Sequence, residues 1–133
     1  MSLDNVHELF KSGFESHKSG EYDKAVEFYN KAIELDPKYI KAYYNKGVVL
    51  GTLGRYDEEL DCYNKAIELD PGYIDAYYNR AKVRLMKNQI NESIDDLEEM
   101  IKLDNNLLTE IKNDYDFQSL TDNERFKTLI TNP

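Results

Sequence analysis

The sequence predicts an all-α protein, an α-solenoid of stacked helix pairs, and three observations predict it. The phrase Tyr29-Asn30-Lys31-Ala32-Ile33-Glu34-Leu35-Asp36-Pro37 returns residue for residue as Tyr63 to Pro71, an offset of 34. Behind each copy comes Tyr-Ile-x-Ala-Tyr-Tyr-Asn, at Tyr39 to Asn45 and again at Tyr73 to Asn79. No stretch alternates apolar and polar residues between turn pairs, so strand signals are absent. A fixed period in this range marks supersecondary units that bury their apolar faces on one another.

Each unit reads as two antiparallel helices. The first helix of the first unit is expected over roughly Asp4 to Lys18 and its second over Tyr22 to Leu35, where Val26, Tyr29, Ile33, Ala25 and Ala32 recur at helical spacing. The second unit is expected at Tyr39 to Thr52 and Tyr56 to Leu69, the third at Tyr73 to Lys87 and Ile90 to Leu103. Between the helices of each pair, Gly20, Gly54 and Asn88 share a column; glycine and asparagine best tolerate the left-handed conformation that ends a helix. Asp36, Asp70 and Asp104 follow the second helices, then Pro37, Pro71 and Asn105; proline stops one helix and lets another begin. Gly13, Gly47 and Ala81 share a column inside the first helices. Glycine there costs about 0.5–1 kcal/mol against alanine, so close packing is its expected reason.

Composition bounds the function. The chain has 133 residues, a net charge of −9 and one cysteine, Cys62. The acidity argues against nonspecific binding to nucleic acid or an anionic membrane. One cysteine allows no internal disulfide, which suits a reducing compartment. No signal peptide and no membrane-length apolar run is visible, and a soluble cytoplasmic protein is expected. His7 and His17 stand ten residues apart, a poor spacing for shared metal ligation. No glycine-rich phosphate loop is present. The acidic clusters Asp57-Glu58-Glu59 and Asp95-Asp96 with Glu98-Glu99 read as solvated faces and first-turn charges, and Cys62 as inert packing or surface. No cofactor, no metal and no catalytic residue is expected.

These columns resemble the tetratricopeptide repeat (TPR) family, whose pattern is a bulky-x-x-Leu-Gly-x-x-Tyr core in the first helix, Ala-x-x-x-Phe in the second, and a closing Pro. The second unit supplies Tyr43, Gly47, Leu50, Tyr63, Ala66 and Pro71; the first supplies Leu9, Gly13, Ala25, Tyr29, Ala32 and Pro37. The third is weaker, with Tyr77, Ala81, Ser93, Leu97, Met100 and Asn105. Glu59 departs from the expected small residue, and Lys46 and Arg80 from the expected Leu. The resemblance implies a right-handed α-solenoid of three helix-turn-helix units, at about 6–39, 40–73 and 74–107, in one domain over 1–133. A C-terminal helical cap over 108–133 closes it. Leu107-Leu108-x-x-Ile111 looks like a partial fourth first-helix, and Tyr115, Phe117, Leu120, Phe126, Leu129 and Ile130 are its expected apolar anchors. Thr121 and Glu124 have capping-box spacing, which predicts a last helix starting near Asp122.

In this family the first helices line a concave groove that binds an extended peptide or a partner helix. The resemblance assigns that role to Phe10 and Phe14, to Lys41, Tyr44, Asn45 and Val48, and to Asp75, Tyr78, Asn79 and Lys82. Asn45 and Asn79, with Asn113 in the same column, offer both donor and acceptor to a peptide backbone. Tyr44 and Tyr78 offer flat aromatic area. The competing reading makes Tyr-Tyr-Asn repeat consensus, its tyrosines packing on neighbouring helices. Chaperone-binding members grip a terminal carboxylate with cations and asparagines; the matching positions here are Phe10, Phe14, Asn45, Asp75 and Asn79, and only Asn45 fits. Without the cations the charge-assisted bonds are lost and Asp75 repels, so carboxylate-clamp chaperone tails are not expected as partners. The expected function is a protein–protein interaction module and no enzyme. The alternative is a self-assembling scaffold, a homo-oligomer.

Overall fold

The structure, a computed structural model, describes residues 5–131. Those residues form α1 (Val6–Lys18), α2 (Tyr22–Leu35), α3 (Ile40–Thr52), α4 (Tyr56–Leu69), α5 (Ile74–Met86) and α6 (Ile90–Leu103). After them come α7 (Leu107–Asn113), a 3₁₀ helix (Tyr115–Leu120) and α8 (Glu124–Thr131); the described residues hold no strand. Asp4, the expected start of the first helix, lies outside the described residues. α1 begins after Asn5, whose side-chain oxygen accepts the His7 amide at 2.8 Å, a side-chain cap. The described chain divides after Pro71 into two compact units, the first holding α1 to α4 and the second α5 to α8.

Three turns of one design join the paired helices. Gly20, Gly54 and Asn88 have φ of 79°, 76° and 64°, so asparagine takes the left-handed place in the third repeat. In each, the amide one residue on returns to the carbonyl five residues back, Glu21 to Ser16, Arg55 to Leu50 and Gln89 to Arg84, at 2.7–2.9 Å. Asp36, Asp70 and Asp104 all sit in extended conformation at the exits of α2, α4 and α6. Asp104 does so without a following proline, because its carboxylate accepts the Asn106 amide at 3.0 Å as Asp36 accepts that of Lys38.

The small-residue column has a steric cause. A Cβ on Gly13 would lie 2.6 Å from the Tyr29 ring, and one on Gly47 would lie 2.7 Å from the Tyr63 ring. In the third repeat the same columns hold Ala81 and Leu97, both fully buried. Where the ring becomes a leucine, the glycine becomes an alanine, and the pair keeps its volume. The core of the first unit closes around Leu9, Tyr29, Val49 and Leu50.

Two acidic residues depart from their expected solvated places. Glu59 is only 6% exposed; its Oε2 accepts the Tyr63 hydroxyl at 2.6 Å, and Gly51 leaves room, since a Cβ there would meet that oxygen at 2.6 Å. Burial pushes the Glu59 carboxyl up, against the opposing hydrogen bond from Tyr63, and its Oε1 has no hydrogen-bond partner. Asp96, only 2% exposed, accepts Arg80 at 2.6 Å and Arg84 at 2.9 Å. Burial pushes Asp96 up, and the two guanidiniums pull it back. Arg80 is thus not a flawed leucine but one of two arginines paired with a buried carboxylate. Cys62 is buried, and burial pushes its thiol up to about 11, which leaves it protonated at neutral pH.

The C-terminal segment differs from its expected form in two places. The last helix starts at Glu124, because Asn123 is its cap: the Asn123 side-chain oxygen accepts the Phe126 amide at 3.0 Å. The Thr121 hydroxyl instead donates to the Gln118 carbonyl at 2.9 Å, closing the 3₁₀ helix. Ile111, Phe117, Leu120 and Phe126 are the buried anchors, whereas Tyr115 is 86% exposed. Arg125 fastens α8 to α6 through Asp95, Glu98 at 2.8 Å and the Asn91 carbonyl at 3.1 Å.

Candidate functional site

The first helices of the repeats turn one side toward their partners and leave another outward. In α5 the inward side is explicit. Arg80 and Arg84 reach α6, the Ala81 carbonyl accepts Ser93 at 2.7 Å, and Tyr77 is buried. Asp75, Tyr78, Asn79 and Lys82 recur at three- and four-residue spacing, which gathers them on one side of the same helix. Lys41, Tyr44, Asn45 and Val48 repeat that spacing on α3.

In the first unit, Phe10 and Phe14 stack at 6.5 Å, and Phe10 also meets the rings of Tyr29 at 5.7 Å and Tyr39 at 5.6 Å. Phe14 is 43% exposed, with the Lys18 ammonium 5.6 Å from its ring centre. Lys41 is exposed; Tyr44, Asn45 and Val48 are half-buried. The Tyr44 ring lies 5.9 Å from that of Tyr63, which gives the packing reading of this tyrosine a physical basis. The Asn45 amide donates to the Lys41 carbonyl one turn back at 2.8 Å, so one of its two N–H groups is already engaged. Tyr39 was not singled out by sequence, although it immediately precedes α3 and joins the aromatic group.

In the second unit, Asp75 is exposed, while Tyr78, Asn79 and Lys82 are half-buried. The Tyr78 hydroxyl donates to Asp114, and its ring lies 5.9 Å from Phe117. The Lys82 ammonium sits 4.2 Å from the Tyr78 ring centre, 3.5 Å from the Asp114 carboxylate and 3.2 Å from that of Asp116. Burial first, then the bond to Asp114, pushes the Tyr78 phenol up. Partial burial works against charge on Asp114, but the Tyr78 hydroxyl, the Asp116 amide and Lys82 outweigh it and hold the carboxyl below its usual range. Asp114, Asp116 and Phe117 were missed as members of this site, because nothing periodic connects them to Tyr78.

Three family models match the chain between residues 15 and 95. One described as "TPR repeat" matches residues 15–54, and two described as "Tetratricopeptide repeat" match residues 40–73 and 62–95. The chain belongs to the tetratricopeptide repeat family. Its fold is that of a protein–protein interaction module. A 44-residue stretch of this TPR chain is 46% identical to an uncharacterized protein of Methanocaldococcus jannaschii, covering 33% of this chain and 51% of that one. The crystal structure of MamA is similar in fold, with a TM-score of 0.76 at 22% identity over 80% of this chain and 63% of that one. The second TPR of Spaghetti (RPAP3), solved bound to the HSP90 peptide SRMEEVD, has a TM-score of 0.71 at 25% identity, covering 74% of this chain and 92% of that one. The match thus spans about half the length of the curated Methanocaldococcus jannaschii relative.

Proposed function

We propose that this TPR chain binds an extended peptide or a helix of a partner protein along the outward sides of its first helices. The residues assigned to the contact are Phe10 and Phe14 on α1, Lys41, Tyr44, Asn45 and Val48 on α3, and Asp75, Tyr78, Asn79 and Lys82 on α5. The observation that carries the reading is Phe14: a large apolar side chain 43% exposed, stacked on Phe10 and flanked by Lys18, on a helix whose other side is buried. Peptide recognition by the TPR of Spaghetti supports the mode of binding. The ligand differs in kind, however, because Phe10, Phe14 and Asp75 replace the groups that would hold a terminal carboxylate. The partner contacts the first unit through apolar or aromatic side chains, with affinity on the order of micromolar. The same reading makes the chain a binder and not an enzyme.

The test compares the intact wild type with the double variant Asn45→Ala/Asn79→Ala as bait, each checked for an unchanged melting temperature. The partners held by the wild type are expected to be lost from the variant. Retention of every partner by the variant would refute the assignment.

A further inference from the structure

We propose that the Tyr78–Lys82 side of α5 is a recognition site for acidic–aromatic peptide segments, and that the chain's own Asp114–Phe117 stretch is its resident competitor. The inference rests on the binding reading above and specifies the ligand chemistry of one part of that surface.

α1, α3 and α5 each run for 13 residues, but α7 stops after 7 at Asn113. The chain then turns through Asp114, in extended conformation, whose carboxylate accepts the Asp116 amide at 2.8 Å and so starts the 3₁₀ helix. That short segment sits on α5 as a docked peptide would. Its first carboxylate takes the Tyr78 hydroxyl and Lys82, its second takes Lys82, and its aromatic ring meets the Tyr78 ring. Lys82 joins both sets of contacts, stacked on Tyr78 and paired with two carboxylates. Within the segment Phe117 and Leu120 are buried, while Tyr115, Asp116, Gln118 and Ser119 are exposed.

Any partner segment with two carboxylates beside an aromatic residue can make the same contacts. Asp75, seven residues before Lys82 on the same side, repels acid there and so orients the acidic end toward Lys82. The resident segment competes at the high effective concentration of a short tether, on the order of millimolar. A partner must therefore outbid a covalently attached copy of its own motif, which keeps this part of the surface closed to weak ligands.

The test uses a fluorescent, end-blocked synthetic peptide of residues 112–120 and the full chain. Wild type is compared with Asp114→Asn/Asp116→Asn, which removes the charges but keeps an oxygen to start the 3₁₀ helix, and with the same variant carrying Lys82→Ala. Hydrogen exchange of residues 115–120 reports whether the resident segment has loosened. The double variant is expected to exchange faster there and to bind the peptide about tenfold more tightly than wild type, and Lys82→Ala is expected to abolish that gain. Faster exchange without tighter peptide binding would overturn the proposal, as would unchanged exchange, since the carboxylates would then not hold the segment. If only this proposal is wrong, partner capture still depends on Asn45 and Asn79; if the general binding reading is wrong, that dependence is absent too.

Discussion

α3 and α5 open with the same letters, Ile-x-Ala-Tyr-Tyr-Asn, yet their surroundings have diverged on both sides. Inward, α3 meets Tyr63 and Cys62, and its Gly47 lets the Tyr63 ring approach the helix closely. α5 instead sends Arg80 and Arg84 to a buried carboxylate on α6. The second tyrosine of the phrase diverges too: in α3 its ring rests on Tyr63 of the partner helix, whereas in α5 its hydroxyl is gripped by Asp114. A repeat conserves the backbone path and the volume of each layer. It leaves the chemistry of individual positions free to vary, provided that each change has a complement at the facing position.

The largest expected effect breaks the inward contrast. Asp96→Ala leaves two arginines facing a buried, uncompensated site, and a loss of about 3–5 kcal/mol is expected from urea unfolding of the full chain. A loss below about 1 kcal/mol would show that the arginines do not depend on this carboxylate. Next come the reciprocal swaps at the small-residue column. Gly47→Ala drives a methyl group into the Tyr63 ring and toward the Cys62 Cβ at 3.1 Å, and is expected to cost about 1–3 kcal/mol. Ala81→Gly meets no ring and should cost only the helix penalty of about 0.5–1 kcal/mol. Equal losses by the same measurement would remove the steric explanation.

A smaller effect separates the two buried acids. Glu59 has its folded pKa raised by burial and has no arginine to offset it. The native state therefore holds its proton longer than the unfolded chain does. Stability is fully present below the ordinary glutamic value of about 4.3 and declines as pH rises through the higher folded value. Glu59→Gln removes this slope, so its melting temperature should gain on that of wild type as pH rises above about 4.3. Parallel melting curves across that range would place the carboxyl in solvent-like surroundings.

The helices were legible because the period supplied every boundary more than once. Even Asn88 kept its turn, since its column held two glycines and asparagine shares their tolerance of positive φ. The buried ion pair was half legible. Arg80 stood out where a leucine belonged, but its complement, Asp96, lay inside an acidic run that looked like solvated surface. Stepping that position back by the period would have reached Cys62 and Phe28, both apolar, and marked Asp96 as facing inward. The contact between α5 and Asp114–Phe117 was not legible at all. It depends on where α7 ends and how the chain turns afterward, and a break in the repeat gives the period nothing to extrapolate. Thr121 misled for a related reason: capping-box spacing was present, but Asn123, two residues on, competes for the same helix end and captures it.

In the binding mode we propose, partners meet the outward sides of the first helices. The most direct measurement is an amide-resolved NMR titration of the full chain with a captured partner or the segment of it that binds. Shifts are expected to concentrate on α1, α3 and α5, around Phe14, Lys41, Asn45, Asp75 and Asn79, with the exposed residues of α2 and α4 such as Lys31 and Asn64 unmoved. Shifts concentrated on α2, α4 and α6, with the first helices silent, would contradict it.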